Sequence, residues 1–311
     1  MSRRKIALVG IGKIARDQHI PSIAASPDWD LAAAVSRSGT VDGVANYADL
    51  NQMLDAHPEI DTVSLCMPPV PRYDYAVMAL RAGRHVMLEK PPGATLSEVQ
   101  ALAELATAKG LTLFASWHSR AAPFVDTAKN WLRDKRIKRF AVTWKEDLRK
   151  WHPGQDWVFE PGGMGVFDPG INALSIVTEI LPDPIHLRRA RLDVPANRQT
   201  PIAAHLEFTH PHGCPVTAVF DWDHQDADIW AIEAETDRGH LLLENGGASL
   251  KIDGMLQARP QDGLSGEYPR LYAKMANLVD RRAMDVDIAP LRHVADAFML
   301  GERKTVSGFQ W

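Results

Sequence analysis

The run Gly10-Ile11-Gly12-Lys13-Ile14-Ala15 constrains this chain more than any other feature. It follows the apolar stretch 6–9 directly and opens a helical pattern, the strand–turn–helix context in which GxGxx(G/A) binds a dinucleotide. Gly10 permits the tight turn, Gly12 lets backbone approach a pyrophosphate, and Ala15 lets the helix pack closely on the strand. At the first helical turn, Lys13 and Ile14 add free N–H groups and a partial positive charge for the phosphates. A plain strand–turn–helix is the alternative reading.

The rest of the chain supports the first reading. Short apolar runs at 6–9, 31–35, 62–66, 85–88 and 112–115 alternate with amphipathic stretches such as 73–82 and 96–109, the pattern of βαβ units and a parallel sheet. After about residue 120 the rhythm changes. A helix at 123–134, a strand near 140–145, a Pro/Gly-rich loop at 153–165 and a helix at about 169–181 lead into five strand-like runs in series: 186–194, 202–209, 215–222, 229–236 and 239–244. Consecutive strands with short turns predict a large, mainly antiparallel sheet. The fold class is therefore α/β. A Rossmann domain over 1–120 precedes an α+β domain with an open sheet over 121–289, and the segment 290–311 is expected to pack back onto the first domain.

Composition narrows the partners. A length of 311 residues suits two domains, and a formal charge of -4 offers no global basic field for nucleic acid. No stretch reaches the roughly 18 apolar residues of a membrane span. Arg3-Arg4 faintly resembles an export signal, but Gly10, Gly12 and Lys13 interrupt the apolar run. Cys66 and Cys214 have no paired spacing, which fits a reducing, cytoplasmic compartment and no zinc site.

The end of the second strand sets the ribose contact. NAD sites place an acid about 20 residues beyond the glycines; here the sequence is Ala34-Val35-Ser36-Arg37-Ser38. The guanidinium of Arg37 and the hydroxyl of Ser36 suit a 2′-phosphate, so NADP is expected, with NAD tolerated; a solvated Arg37 is the alternative. The fourth strand ends in Glu89-Lys90-Pro91-Pro92. Strand C-termini line the ligand crevice of such a sheet, which adds Cys66, Glu89 and Lys90 to the cofactor contacts. Pro91 favours a cis bond that would aim Lys90 into the crevice, where a lysine can hold developing negative charge; a surface lysine in a turn is the bland reading.

A third element is Gly162-Gly163-Met164-Gly165-Val166-Phe167-Asp168-Pro169-Gly170-Ile171-Asn172. Pro169 at the first helical position would make Asp168 an N-cap. Asn172 lies four residues on, on the same helix face, so both side chains can reach one ligand.

Gly10–Ala15, the AGxHVxxEKP-like stretch from Ala82 to Pro91, and the segment from Gly163 to Asn172 together resemble the Gfo/Idh/MocA oxidoreductase family over nearly the whole chain. The resemblance implies a Rossmann domain followed by an open sheet that carries the substrate and often a dimer contact, with NAD(P) used on sugars or cyclitols. It places the family's lysine at Lys90. Most members carry His where this chain has Asn172, which cannot take a proton; Asp168 is left as the proton acceptor. A carboxylate, with an ordinary pKa near 4, suits an acidic alcohol such as an anomeric hydroxyl. The resemblance extends to members that oxidise L-arabinose or D-galactose at C1 and carry Asp and Asn at these two positions.

His118 at the end of the fifth strand, Glu146, Trp151, His152 and Trp230 are candidates for gripping a sugar, aromatic faces covering C–H surfaces and His or Glu holding hydroxyls. Of nine tryptophans, Trp131, Trp144, Trp151, Trp157, Trp222 and Trp230 fall in the second domain; Trp131, Trp144, Trp157 and Trp222 read better as core. His210-Pro211-His212-Gly213 has metal-like spacing but reads as a hairpin turn, and the acid-rich stretch 221–228 lacks the glycine and terminal Glu of a calcium loop, so no metal is expected. Two rivals stand beside an aldose dehydrogenase: the same fold acting on another polyol, and a non-catalytic dinucleotide-binding regulator.

Overall fold

In a computed structural model, which describes residues 3–261 and 263–311, strand β1 (Arg4–Val9) runs into a π-helical turn (Ala15–His19) continued by α1 (Ile20–Ala25). The Ile20 N–H reaches back five residues to the Ala15 carbonyl, and π turns of this kind cluster at functional sites. Here the turn carries His19, which is fully buried. Then follow β2 (Trp29–Val35), β3 (Ala45–Tyr47), α2 (Leu50–Ala56), β4 (Thr62–Leu65), α3 (Pro69–Arg81), β5 (His85–Glu89), α4 (Leu96–Lys109) and β6 (Leu113–Ser116). The strands lie in the order β3-β2-β1-β4-β5-β6, all parallel. The order reverses between β1 and β4, and a ligand binds outside the strand ends at such a switch point. The three-residue β3 was not expected.

The second half contributes α5 (Val125–Leu132), β7 (Ile137–Lys145), α6 (Leu148–Trp151), α7 (Phe167–Ile180), β8 (His186–Pro195), β9 (Ala203–Thr209), β10 (Pro215–Asp221), β11 (Ile229–Thr236), β12 (Gly239–Glu244), β13 (Ser249–Ile252), β14 (Met255–Leu256), α8 (Glu267–Arg281), α9 (Ala289–Leu300) and β15 (Glu302–Val306). Nine strands form one sheet, β14-β13-β12-β11-β7-β10-β9-β8-β15. It is mainly antiparallel, with β7–β10 and β8–β15 parallel. Period-two burial shows its sidedness: Ala204, Leu206 and Phe208 are buried while His205, Glu207 and Thr209 are exposed.

The chain divides into two units, 3–121 with Gly263–Ile288, and 122–261 with Ala289–Trp311. This corrects the expected boundary. The segment that returns to the Rossmann unit is α8, not 290–311. Tyr268, Leu271, Tyr272, Met275 and Val279 of α8 share one core with Ile6, Leu8, Trp29 and Phe114, covering an apolar sheet face that would otherwise meet water. The last segment supplies β15, which pairs with β8 at the edge of the nine-stranded sheet.

The N-cap reading of Asp168 is also corrected. Helix α7 begins at Phe167 with Val166 as its cap and no side-chain capping bond. Asp168 is the second helical residue and Pro169 the third, where a missing N–H still costs no helical bond. The hairpin reading of 210–213 holds: Gly213, at φ 73°, donates its N–H to the His210 carbonyl at 2.8 Å between β9 and β10. In the acid-rich stretch, Asp223 meets Arg149 at 2.7 Å and Asp228 meets Lys150 at 2.6 Å. Among the described residues no helix is long and apolar enough to cross a membrane.

Candidate active site

In the first unit, Gly10 has φ 90°, and a Cβ there would stand 2.7 Å from the Met67 backbone N. A Cβ on Gly12 would meet nothing. The helix N-terminus therefore opens onto free space bounded by glycine, which fits a pyrophosphate. Lys13 pairs through its side chain with Asp17, and Ile14 is 37% exposed. What these two offer a phosphate is backbone. Cys66 donates its N–H to the Val9 carbonyl at 2.8 Å, which sets it at the β1/β4 switch.

At the end of β2 the Ser36 hydroxyl accepts from the N–H groups of Gly39 at 3.1 Å and Ser38 at 3.4 Å. It shapes the loop and keeps its own hydrogen to donate. Arg37 is exposed on that loop. Arg16, which sequence reasoning missed, sends a guanidinium N–H to the Thr40 carbonyl at 3.4 Å. Two guanidinium groups at one loop, with no carboxylate among residues 34–40, fit a 2′-phosphate.

Glu89 corrects another expectation. It is buried, and its carboxylate accepts from the Tyr268 hydroxyl at 2.8 Å, the Lys90 N–H at 2.8 Å and His19 at 3.1 Å. These bonds bind it to the protein rather than to a cofactor. Burial alone would lower the His19 imidazole, but neighbouring Cys66 and Tyr272 and the bond to Glu89 hold it well above the usual histidine range. Burial alone would raise Glu89, yet the His19 bond and charge, then His118 and Tyr268, bring it down to about 2. The buried Arg72 donates to the carbonyls of Glu89, Pro91 and Met67. The cis Lys90–Pro91 peptide is thus fixed on both flanks.

The buried pair carries a pH signature. A carboxyl lowered on folding contributes stability above its unfolded pKa and loses it as pH falls through the folded one. Stability should therefore decline between pH 4.5 and about 2 as Glu89 takes a proton. In Glu89→Gln, Tm followed by circular dichroism should be lower at pH 7 and flatter over that acid range. An acid slope equal to the wild type's would exclude Glu89 as its source.

His118 is placed differently from its expected role. Its Nδ1 lies 2.6 Å from a Glu267 carboxylate oxygen, and its ring stacks on Tyr268 at 5.6 Å. Burial opposes the charge, but Glu267 raises the imidazole overall, so one nitrogen already serves the protein.

In the second unit, α7 carries Asp168 and Asn172 one turn apart. Gly170 between them lets the helix lie close on the sheet, since a Cβ there would stand 2.9 Å from the Phe220 ring. Asp168 is 6% exposed, and one oxygen lies 3.2 Å from His152 Nε2. His152 follows α6, and its Nδ1 lies 3.2 Å from Gln155 Oε1, which also accepts the Trp157 indole N–H at 3.0 Å. Edge-on rings of Trp222 at 5.4 Å and Trp157 at 6.2 Å enclose the imidazole. Gly163 allows this folding: a Cβ there would stand 2.3 Å from the Trp157 carbonyl oxygen.

Glu146 follows β7 and accepts the indole N–H groups of Trp222 at 3.2 Å and Trp230 at 2.8 Å, one on each oxygen. It was expected to grip a hydroxyl; it first sets two indoles. Trp230 stacks on Trp144 at 5.9 Å and meets Trp151 at 5.7 Å. Trp144 and Trp222 are core, as expected, whereas Trp157 is 36% exposed. The unit thus gathers Asp168, Asn172, His152, Glu146 and a tryptophan wall of Trp151 and Trp230. Gln155 was missed, because its residue type does not announce chemistry, and Trp157, read as core, lies instead against His152.

A model described as an oxidoreductase family with an NAD-binding Rossmann fold matches residues 4–116. The chain is similar to the galactose 1-dehydrogenase of Pseudomonas fluorescens, 42% identical over 307 residues and 98% of each sequence. It is similar in structure to a D-galactose-1-dehydrogenase protein from Rhizobium etli, with a TM-score of 0.95 and 55% identity over 100% of this chain and 99% of that one. It also superposes on KijD10, a 3-ketoreductase from Actinomadura kijaniata in complex with NADP and TDP-benzene, with a TM-score of 0.83 at 19% identity over 98% of this chain and 100% of that one. That last likeness is one of fold.

Proposed function

Since the chain belongs to the Gfo/Idh/MocA oxidoreductase family, we propose that it is an NADP-preferring aldose 1-dehydrogenase that oxidises L-arabinose or D-galactose to the aldonolactone. The observation that carries this reading is the Asp168–His152 pair one helical turn from Asn172. The proton acceptor is a carboxylate backed by an imidazole, and the side chain beside it cannot titrate. Such a base suits the acidic anomeric hydroxyl.

The bound dinucleotide supplies the acceptor for the C1 hydride; the remaining work falls to side chains. In the first unit, Lys90 is our candidate for the donor that holds developing negative charge on an oxygen. Asn172 orients the hydroxyl through its amide. Asp168 and His152 receive the proton as the C1–O bond becomes a carbonyl. The wall of Trp151 and Trp230, set by Glu146, covers the apolar face of the pyranose. L-Arabinose and D-galactose share configuration at C2, C3 and C4, so one set of contacts serves both. Family membership together with Lys90 and Asp168 weighs against a non-catalytic regulator. Two free cysteines support a cytoplasmic setting, and the open sheet face, with Ala141, Thr143, Val219 and Ala231 at its middle, is our candidate for pairing two copies.

The test is a panel of aldoses and cyclitols with NADP+ and NAD+, followed at the nicotinamide absorbance with lactone trapping. L-Arabinose and D-galactose should give the largest kcat/KM with lactone as product, and myo-inositol little. Arg37→Asp should move the cofactor ratio toward NAD. Fastest turnover on a cyclitol would overturn the substrate, and an unchanged ratio would remove Arg37 from the 2′-phosphate.

A further inference from the structure

We infer that Gln155, itself oriented by Trp157, locks His152 as its Nδ1–H tautomer, so that Nε2, the atom beside Asp168, is a proton acceptor. The inference deepens the proposed function and rests on it for the identity of the proton.

An indole nitrogen only donates. The Gln155 atom 3.0 Å from Trp157 Nε1 is therefore its carbonyl oxygen, not its NH2. The same oxygen lies 3.2 Å from His152 Nδ1. An oxygen only accepts, so Nδ1 carries a hydrogen in every protonation state of the ring. A neutral His152 then has its lone pair on Nε2, 3.2 Å from an Asp168 oxygen. With no proton between them, a lone pair faces a carboxylate; with one, the contact becomes a hydrogen bond between opposite charges. The pair thus holds one proton well and none badly, which makes it a stronger base than a lone carboxylate. Were the hydrogen on Nε2 instead, a neutral His152 would already donate to Asp168, and the carboxylate would be the weaker for it.

Gln155 is the partner of Nδ1, and the charged groups nearby are engaged elsewhere. Glu146 accepts from the indole N–H groups of Trp222 and Trp230. On the element that carries His152, Arg149 is paired with Asp147 and Asp223, and Lys150 with Asp228. Trp157 and Trp222, the rings against the imidazole, are uncharged. Gln155 is a positioning residue, acting through His152.

The test reads the tautomer directly, by imidazole 15N correlation spectra of the whole protein, and the acid limb of kcat/KM against pH. Wild type should show Nδ1–H. Gln155→Leu should release the ring to Nε2–H, move the acid limb to lower pH, and cost about tenfold or more in kcat/KM at pH 7, short of the full ~10²–10⁴-fold worth of a general base. Gln155→Glu accepts from the same two donors and adds charge; it should keep Nδ1–H and move the limb to higher pH. Trp157→Phe should shift it in the same direction as Gln155→Leu, by less. Opposite shifts from Leu and Glu are what a merely structural role would not give. Nε2–H in the wild type, or Gln155→Leu with tautomer and limb unchanged, would overturn the inference. Absence of aldose turnover in a wild type that shows Nδ1–H would overturn the proposed function instead.

Discussion

Asp168→Ala should lower kcat on L-arabinose or D-galactose at least ~10²-fold, within the range that a positioned general base supplies. The carboxylate is buried, set on the first turn of α7, and 3.2 Å from His152 Nε2. Removing it takes away the acceptor and the charge that stabilises protonated His152 together. KM should change much less, because Asn172, Glu146 and the tryptophan wall remain. Asp168→Asn keeps the size and a hydrogen bond to the imidazole but not the charge, so its loss should be of similar order. Steady-state kinetics across pH decides the matter. Near-normal turnover in Asp168→Ala, with the nucleotide still bound, would remove it from the base role.

Lys90→Ala should cost a comparable ~10²-fold or more in kcat, the usual worth of one donor aimed at a developing oxyanion. Its backbone is held by Glu89 Oε2 on one side and by Arg72 on the carbonyls of Glu89 and Pro91. The substitution should therefore remove an ammonium and little else. The split between constants is the informative readout. A fall in kcat with KM nearly unchanged marks an interaction made in the transition state, whereas a raised KM with kcat intact would mean that Lys90 only binds sugar. Lys90→Arg should restore little, since a planar fork does not reproduce a compact point charge.

Much of the architecture was legible because the patterns were local. The strands from β8 to β12 alternate inward and outward residues, as Ala204, Leu206 and Phe208 do in β9, and their bounds fall within a residue or two of the runs in the sequence. The three-residue β3 was too short to show a period. The apolar stripe of α8 announced a helix but not which core it would cover, because amphipathicity records that a face is buried and not against what. Asp168, Asn172 and Lys90 stood out as candidates because their residue types carry chemistry at motif positions. Gln155 and Trp157 gained meaning only when Gly154, at φ 66°, and Gly163 had folded the loop over His152. Glu146 shows the opposite case: a carboxylate among tryptophans looks like a sugar ligand, and the sequence does not reveal that its oxygens also accept from two indole nitrogens.

The return of α8 also has a consequence for synthesis. The aromatic and aliphatic side chains of Ile6, Leu8, Trp29 and Phe114 share their core with residues up to Val279. A ribosome releasing this chain delivers those partners only after residues 122–261, which belong to the other unit, have emerged. The nucleotide-binding unit therefore cannot mature first and wait for its neighbour, as an N-terminal domain ordinarily does; a nascent chain halted near residue 121 should carry an unclosed sheet and recruit chaperones.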